Sequence, residues 1–131
     1  MIRFMLVAAG GSLGAMARYG VGTVLQRWMP TAAWPWPTFG VNVAGGLLMG
    51  LLAGWLAQRG GAHADTWRLL VGVGVLGGFT TFSAFSLEVA LMIERRQLAL
   101  AALYAVGSFV LSVGTLFVGL WIMRRMAGGV L

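Results

Sequence analysis

Gly77-Gly78-Phe79-Thr80-Thr81-Phe82-Ser83-Ala84-Phe85-Ser86-Leu87-Glu88 lies in the middle of an apolar segment running from about Trp67 to Ile93. It opens on two adjacent glycines, continues with four hydroxyl side chains and ends in a carboxylate. Paired glycines favour a break in a helix, and hydroxyls can re-satisfy the backbone groups that a break frees. Counting about 1.5 Å per helical residue from Trp67 puts Gly77 to Thr80 roughly 15–20 Å in, near the midplane of a bilayer. A break at that depth is tolerated only where protein buries it or where it lines a cavity, so the stretch points to a transport site. The alternative is a glycine-rich packing face whose Ser and Thr side chains bond back to their own helix.

The rest of the chain agrees with lipid as the solvent. Of 131 residues, 60% are hydrophobic and 9% charged, and the mean hydropathy is +0.89. A soluble domain carries about 25% charged residues, so this is a membrane protein, read as one domain over residues 1–131. Gly is abundant, at 21 residues, as expected where membrane helices pack backbone to backbone. Cys is absent, which removes disulfides and thiolate metal sites from consideration. The N-terminus, Met1-Ile2-Arg3-Phe4-Met5, could pass for a secretory leader. Its apolar run contains Arg18 and has no clear small-x-small cleavage site, so it is read as a retained first span. The net charge is +6 and all nine basic residues are Arg. They are scattered singly or in pairs between apolar spans, with no groove of interleaved aromatics, so headgroups rather than nucleic acid are the expected partner.

Four apolar segments, about 4–26, 38–57, 67–94 and 98–123, each hold the roughly 20 residues that cross hydrocarbon as a helix. The fold class is therefore all-α, with four membrane helices and the third broken near its middle. Trp28 to Pro37 carries all three prolines and three tryptophans, a turn anchored at an interface. Gln58 to Thr66 is a polar loop, and its His63 is expected to be solvated, since no second His or Cys exists nearby. Glu94 to Gln97 is short enough to make the last two helices antiparallel neighbours. With four spans both termini share a side. That side collects Arg3, Arg59, Arg68, Arg124 and Arg125, against Arg27, Arg95 and Arg96 on the other. So small a bias permits insertion in both orientations and an antiparallel dimer; the alternative is one orientation with an even charge spread.

Two rows of small residues each contain one polar member. Gly10, Gly14, Arg18 and Gly22 recur every fourth residue in the first span, and Asn42, Gly46, Gly50 and Gly54 do so in the second. Close helix packing explains the glycines. It does not explain Arg18 and Asn42, which sit at similar depth on one side, roughly 8–12 Å below the interface. An arginine there must snorkel, pair or face water. An electropositive vestibule would draw anions inward, with Glu88 either its partner or an independent pathway residue. In the fourth span Tyr104, Ser108, Ser112 and Thr115 form one polar stripe. In the third, Thr81, Phe85 and Glu88 share a face, and Phe82 neighbours Phe85. A track of hydroxyls beside two phenyl rings suits an anion, because a ring edge is electropositive. The alternative is two phenylalanines packed among lipid-facing side chains.

The Gly77–Glu88 stretch closely resembles the signature of the Fluc/CrcB family of fluoride channels. Gly10-Gly11-Ser12-Leu13-Gly14-Ala15-Met16-Ala17-Arg18 and Pro37-Thr38-Phe39-Gly40-Val41-Asn42-Val43-Ala44-Gly45-Gly46 resemble that family's other two patterns, in the same order and spacing. The resemblance implies an antiparallel dual-topology homodimer in the cell (inner) membrane, carrying two fluoride pathways. It matches Phe82 and Phe85 to the rings that contact fluoride and Asn42 to the pore-lining amide. Tyr104, Ser108 and Ser112 fall on the polar wall of the fourth helix, and Thr81 and Ser83 among the hydroxyls of the third. A structural sodium ion, held by backbone carbonyls of both subunits, would take Gly77 and Thr80. Position 84 is Ala, where the family often has Thr. Two identical breaks facing one another across a two-fold axis in the membrane plane would present an oxygen cage suited to a hard cation.

The polar inventory holds no nucleophile–base pair, metal-ligand cluster or phosphate loop, so a passive fluoride channel is expected and not an enzyme. A proton-coupled exporter of cationic drugs or guanidinium is the alternative. That chemistry wants a membrane-embedded acid, typically in the first span, which here carries Arg18 and none. A non-transporting assembly factor would need no continuous polar stripe.

Overall fold

The structure, a computed structural model, describes residues 1–59 and 61–128; Gly60 of the second connection lies outside them. Four helical stretches are long and apolar enough to cross a membrane: Ile2–Trp28, Trp36–Leu56, His63–Glu94 and Leu98–Met126. All regular structure among the described residues is helical. The second span starts directly after Pro35 and holds Pro37 in its first turn, where a missing N–H costs nothing. The third begins earlier than hydropathy suggests, because Ala62–Trp67 is already helical. Gly61 sets that start with φ 98°, a conformation that L side chains rarely adopt. Asp65 then supports the first turn by pairing with Arg68 at 2.7 Å and with Arg3 of the first span at 3.3 Å.

The third span is interrupted, but not at its glycine pair. Arg68–Leu76 is wound as a π-helix, Gly77–Phe79 closes as one α turn, and Phe82–Glu94 is α-helical again. Between them Thr80 (φ −81°, ψ 160°) and Thr81 (φ −151°, ψ 119°) are extended. Gly77 is helical, with φ −63° and ψ −36°. The expectation that the glycines themselves break the helix is therefore corrected: Gly78 lies against the Gly11 carbonyl, and a methyl group there would come within 2.5 Å of it. Gly78 serves close approach, Gly77 meets only an ordinary contact with the Gly72 carbonyl at 3.7 Å, and the break falls on two ordinary residues just after them.

Glycine rows glue the helices into two pairs. Methyl groups at Gly10 and Gly14 would overlap the carbonyls of Leu70 and Val75, so the first span presses backbone to backbone on the N-terminal half of the third. Methyl groups at Gly46 and Gly50 would overlap the carbonyls of Ser112 and Leu116, and one at Gly119 the carbonyl of Leu47, joining the second span to the fourth. Without a hydrophobic drive inside lipid, this kind of contact is what holds helices together. The C-terminal half of the third span turns back into the fourth through Arg95 to Gln97, with Arg96 at φ 59°. Those two helices meet at the buried Met92, Ala101 and Tyr104, with Trp34, Phe39, Phe85 and Val89 around them.

Candidate functional site

The break is held open by a side chain from another helix. Asn42 Oδ1 accepts the Thr81 N–H at 2.8 Å, while its Nδ2 donates to the Thr81 carbonyl at 3.0 Å. Thr81 Oγ1 in turn accepts the Ala84 N–H at 3.2 Å, capping the helix that starts at Phe82. In an unbroken α-helix the Thr81 and Ala84 N–H groups would serve the carbonyls of Gly77 and Thr80. Both donors are diverted here, and those are the two carbonyls expected for sodium.

Two cavities flank this point, and Thr81 is the residue common to both walls. The first, about 790 Å³, is lined by Arg18, Tyr19, Gln26, Trp34, Thr38, Glu88 and their neighbours. Arg18 and Glu88 thus share one chamber, as the vestibule reading requires, but they are not an ion pair: the ion pairs among the described residues are both made by Asp65. Glu88 is held by hydroxyls instead, Thr38 donating to Oε1 and Tyr104 to Oε2, both at 2.6 Å. Thr38 was not singled out from the sequence. It stands four residues before Asn42, one step up the same row, which is the signal that would have found it.

The second cavity, a groove of about 360 Å³, brings together Asn42, Thr80, Thr81, Phe82, Phe85, Ser108 and Ser112. Six of the eight residues expected along an anion path lie here. Ser83 and Tyr104 do not. Ser83 is exposed and lies 3.3 Å from Thr81 Oγ1. Tyr104 is wholly buried behind Phe85, with ring centroids 5.3 Å apart, and its hydroxyl turns to Glu88. Phe82 and Phe85 are neighbours at 5.5 Å.

The serines separate packing from a polar track. Ser12, Thr23, Thr80 and Ser86 all donate back to the carbonyl four residues earlier, the usual solution for a hydroxyl in a membrane helix. Ser108 and Ser112 do not: their oxygens are buried with no hydrogen-bond partner among the described residues. Buried hydroxyls left unpaired are costly, and in a native protein they call for a ligand or water. Thr115, the last member of the stripe, donates to the Val43 carbonyl at 2.9 Å and belongs to the packing of the second span. Among the described residues no cluster of three or more acidic, His or Cys side chains could hold a metal ion.

Comparison with known proteins agrees with this arrangement. The family described as "CrcB-like protein, Camphor Resistance (CrcB)" matches residues 5–120. A protein of Phenylobacterium zucineum named fluoride-specific ion channel FluC is 59% identical over 126 residues, covering 96% of this chain and 98% of its own. A protein of the same name from Caulobacter sp. strain K31 is 60% identical with the same coverage, and "FluC 2" of Nitrobacter hamburgensis is 52% identical over 125 residues. A match running through all four spans, the break and the polar stripe places the chain in one family: it belongs to the CrcB family.

Proposed function

We propose that this chain is a fluoride-selective channel that lets fluoride leave the cell passively across the inner membrane. The carrying observation is the near-full-length identity, 59–60%, to proteins named fluoride-specific ion channels. The unpaired hydroxyls of Ser108 and Ser112 beside Phe82 and Phe85 support it from the site. Fluoride is small and strongly hydrated, so it needs hydrogen-bond donors where water is stripped away. Two hydroxyl donors and two ring edges supply them without a charged side chain in direct contact with the ion. Arg18, half-buried in the outer chamber, raises the local anion concentration before the ion reaches Thr81.

The groove is half of an enclosure. Phe82 is 80% exposed and Phe109, on the same wall, 69%. A second copy inserted the opposite way would cover these rings and set the two breaks face to face. The residues present fit a sodium ion there: the Gly77 and Thr80 carbonyls have lost their helical donors, and carbonyl oxygens suit a hard cation. When bound, that ion would supply fixed positive charge beside the anion path. It is not a transported species in this reading, and the protein is not an enzyme.

The test is a flux assay on purified protein in liposomes. Fluoride leaving down its own gradient, with chloride retained and no proton coupling, is the expected result. Proton-coupled uptake of guanidinium or another organic cation would overturn it.

A further inference from the structure

Asn42 lines the anion groove, yet both its Oδ1 and its Nδ2 bond to backbone. We propose that Asn42 is a positioning residue for the carbonyl cation site: it takes over the Thr81 peptide from the third helix and thereby keeps the Gly77 carbonyl free for the ion. The inference rests on the sodium reading above. A carboxamide is the side chain that offers one acceptor and one donor in a peptide-like pair, and here both are used on one peptide-bearing residue, at 2.8 and 3.0 Å. Thr81 is buried, at 8% exposure, so an unpaired N–H there would be costly. Without Asn42 its nearest alternative is the Gly77 carbonyl, and the helix closes over the gap.

A second contact from the same helix works in the same sense. Gly45, three residues after Asn42, receives the Thr80 methyl group, and a side chain there would collide with it. The second span thus seats both extended threonines, Thr80 by an empty place and Thr81 by an amide. The anion wall and the cation cage are built from one side chain.

Thermal unfolding of the purified protein, with sodium exchanged for N-methyl-D-glucamine at constant ionic strength, reads this directly. Tm climbs with the logarithm of sodium above its dissociation constant, so the onset of the climb reports affinity. Asn42→Ala is expected to move the onset to at least about tenfold higher sodium, as loss of a group orienting a metal ligand does. Ser108→Ala is expected to leave it in place while fluoride flux falls. A purely structural loss lowers Tm at every sodium concentration and leaves the onset unmoved. Should the alanine variant not assemble, Asn42→Leu carries the test: it keeps the size of the side chain, offers no acceptor to the Thr81 N–H, and is expected to move the onset in the same direction. An unmoved onset in whichever variant assembles overturns the proposal and spares the sodium reading. A wild-type Tm indifferent to sodium overturns the sodium reading and this proposal with it.

Discussion

The Tyr104 hydroxyl donates to Glu88 Oε2 at 2.6 Å while its ring lies edge-on to Trp34, centroids 5.3 Å apart. Glu88, an acid in the hydrophobic part of the third span, is therefore fixed from the fourth span by Tyr104 and from the second by Thr38. Removing either hydroxyl leaves a carboxylate oxygen short of a donor. Tyr104→Phe keeps the ring and is expected to cost about 1–3 kcal/mol, measured as a lowered unfolding midpoint in detergent. An unchanged midpoint would show that the bond is not formed in the assembled protein.

Ser108→Ala and Ser112→Ala should behave in the opposite way. Neither oxygen has a partner in hydrogen-bonding geometry among the described residues, although Ser108 lies beside the Tyr104 hydroxyl, so stability is expected to change little. Fluoride flux is expected to fall, since a hydrogen bond to a charged group contributes about 1.5–3 kcal/mol, or roughly 10–100-fold. Thr115→Val, which removes a bond to the Val43 carbonyl, is the counter-control: it should destabilise by about 1 kcal/mol and spare flux.

Phe82→Ile removes the ring edge from the groove while keeping an apolar side chain at an exposed position. Strongly reduced fluoride efflux with the elution volume of the purified protein unchanged from wild type is the expected outcome. Normal efflux would sink the assignment of the groove as the path.

Arg18→Gln tests the outer chamber as an electrostatic funnel. Flux is expected to drop most at low ionic strength, and the gap from wild type should narrow as salt screens the lost charge. A deficit independent of salt would mean that Arg18 acts by shape.

Gly10→Ala and Gly22→Ala separate a packing glycine from a spare one. At Gly10 the new methyl meets the Leu70 carbonyl; at Gly22 nothing lies within 4 Å. The first should destabilise by about 1–3 kcal/mol through forced separation of two helices. The second should be neutral or gain up to about 1 kcal/mol of helix propensity.

These contrasts also show what could be read from residues alone. The rows of glycine every fourth position named the faces that pack, because close approach depends on a local repeat. The hydroxyl stripe of the fourth span was visible for the same reason, although only coordinates separate Ser108 and Ser112, which are unpaired, from Thr115, which is bonded. The residues point to a break over Gly77 to Thr80, and it falls at the end of that stretch, on Thr80 and Thr81, rather than on the glycines. Conformational freedom marks where a chain can bend, but the bend falls where a competing partner stands, and Asn42 is 39 residues away from Thr81. Thr38 escaped notice because its role depends on a carboxylate 50 residues along the chain. The π winding of Arg68–Leu76 has no signature in the order of residues.

Thr81 belongs to the walls of both chambers, and among the described residues no other does. A change of size at Thr81 therefore reshapes both spaces at once, and because the same residue caps the helix that starts at Phe82, its side chain couples the shape of the two chambers to the start of that helix.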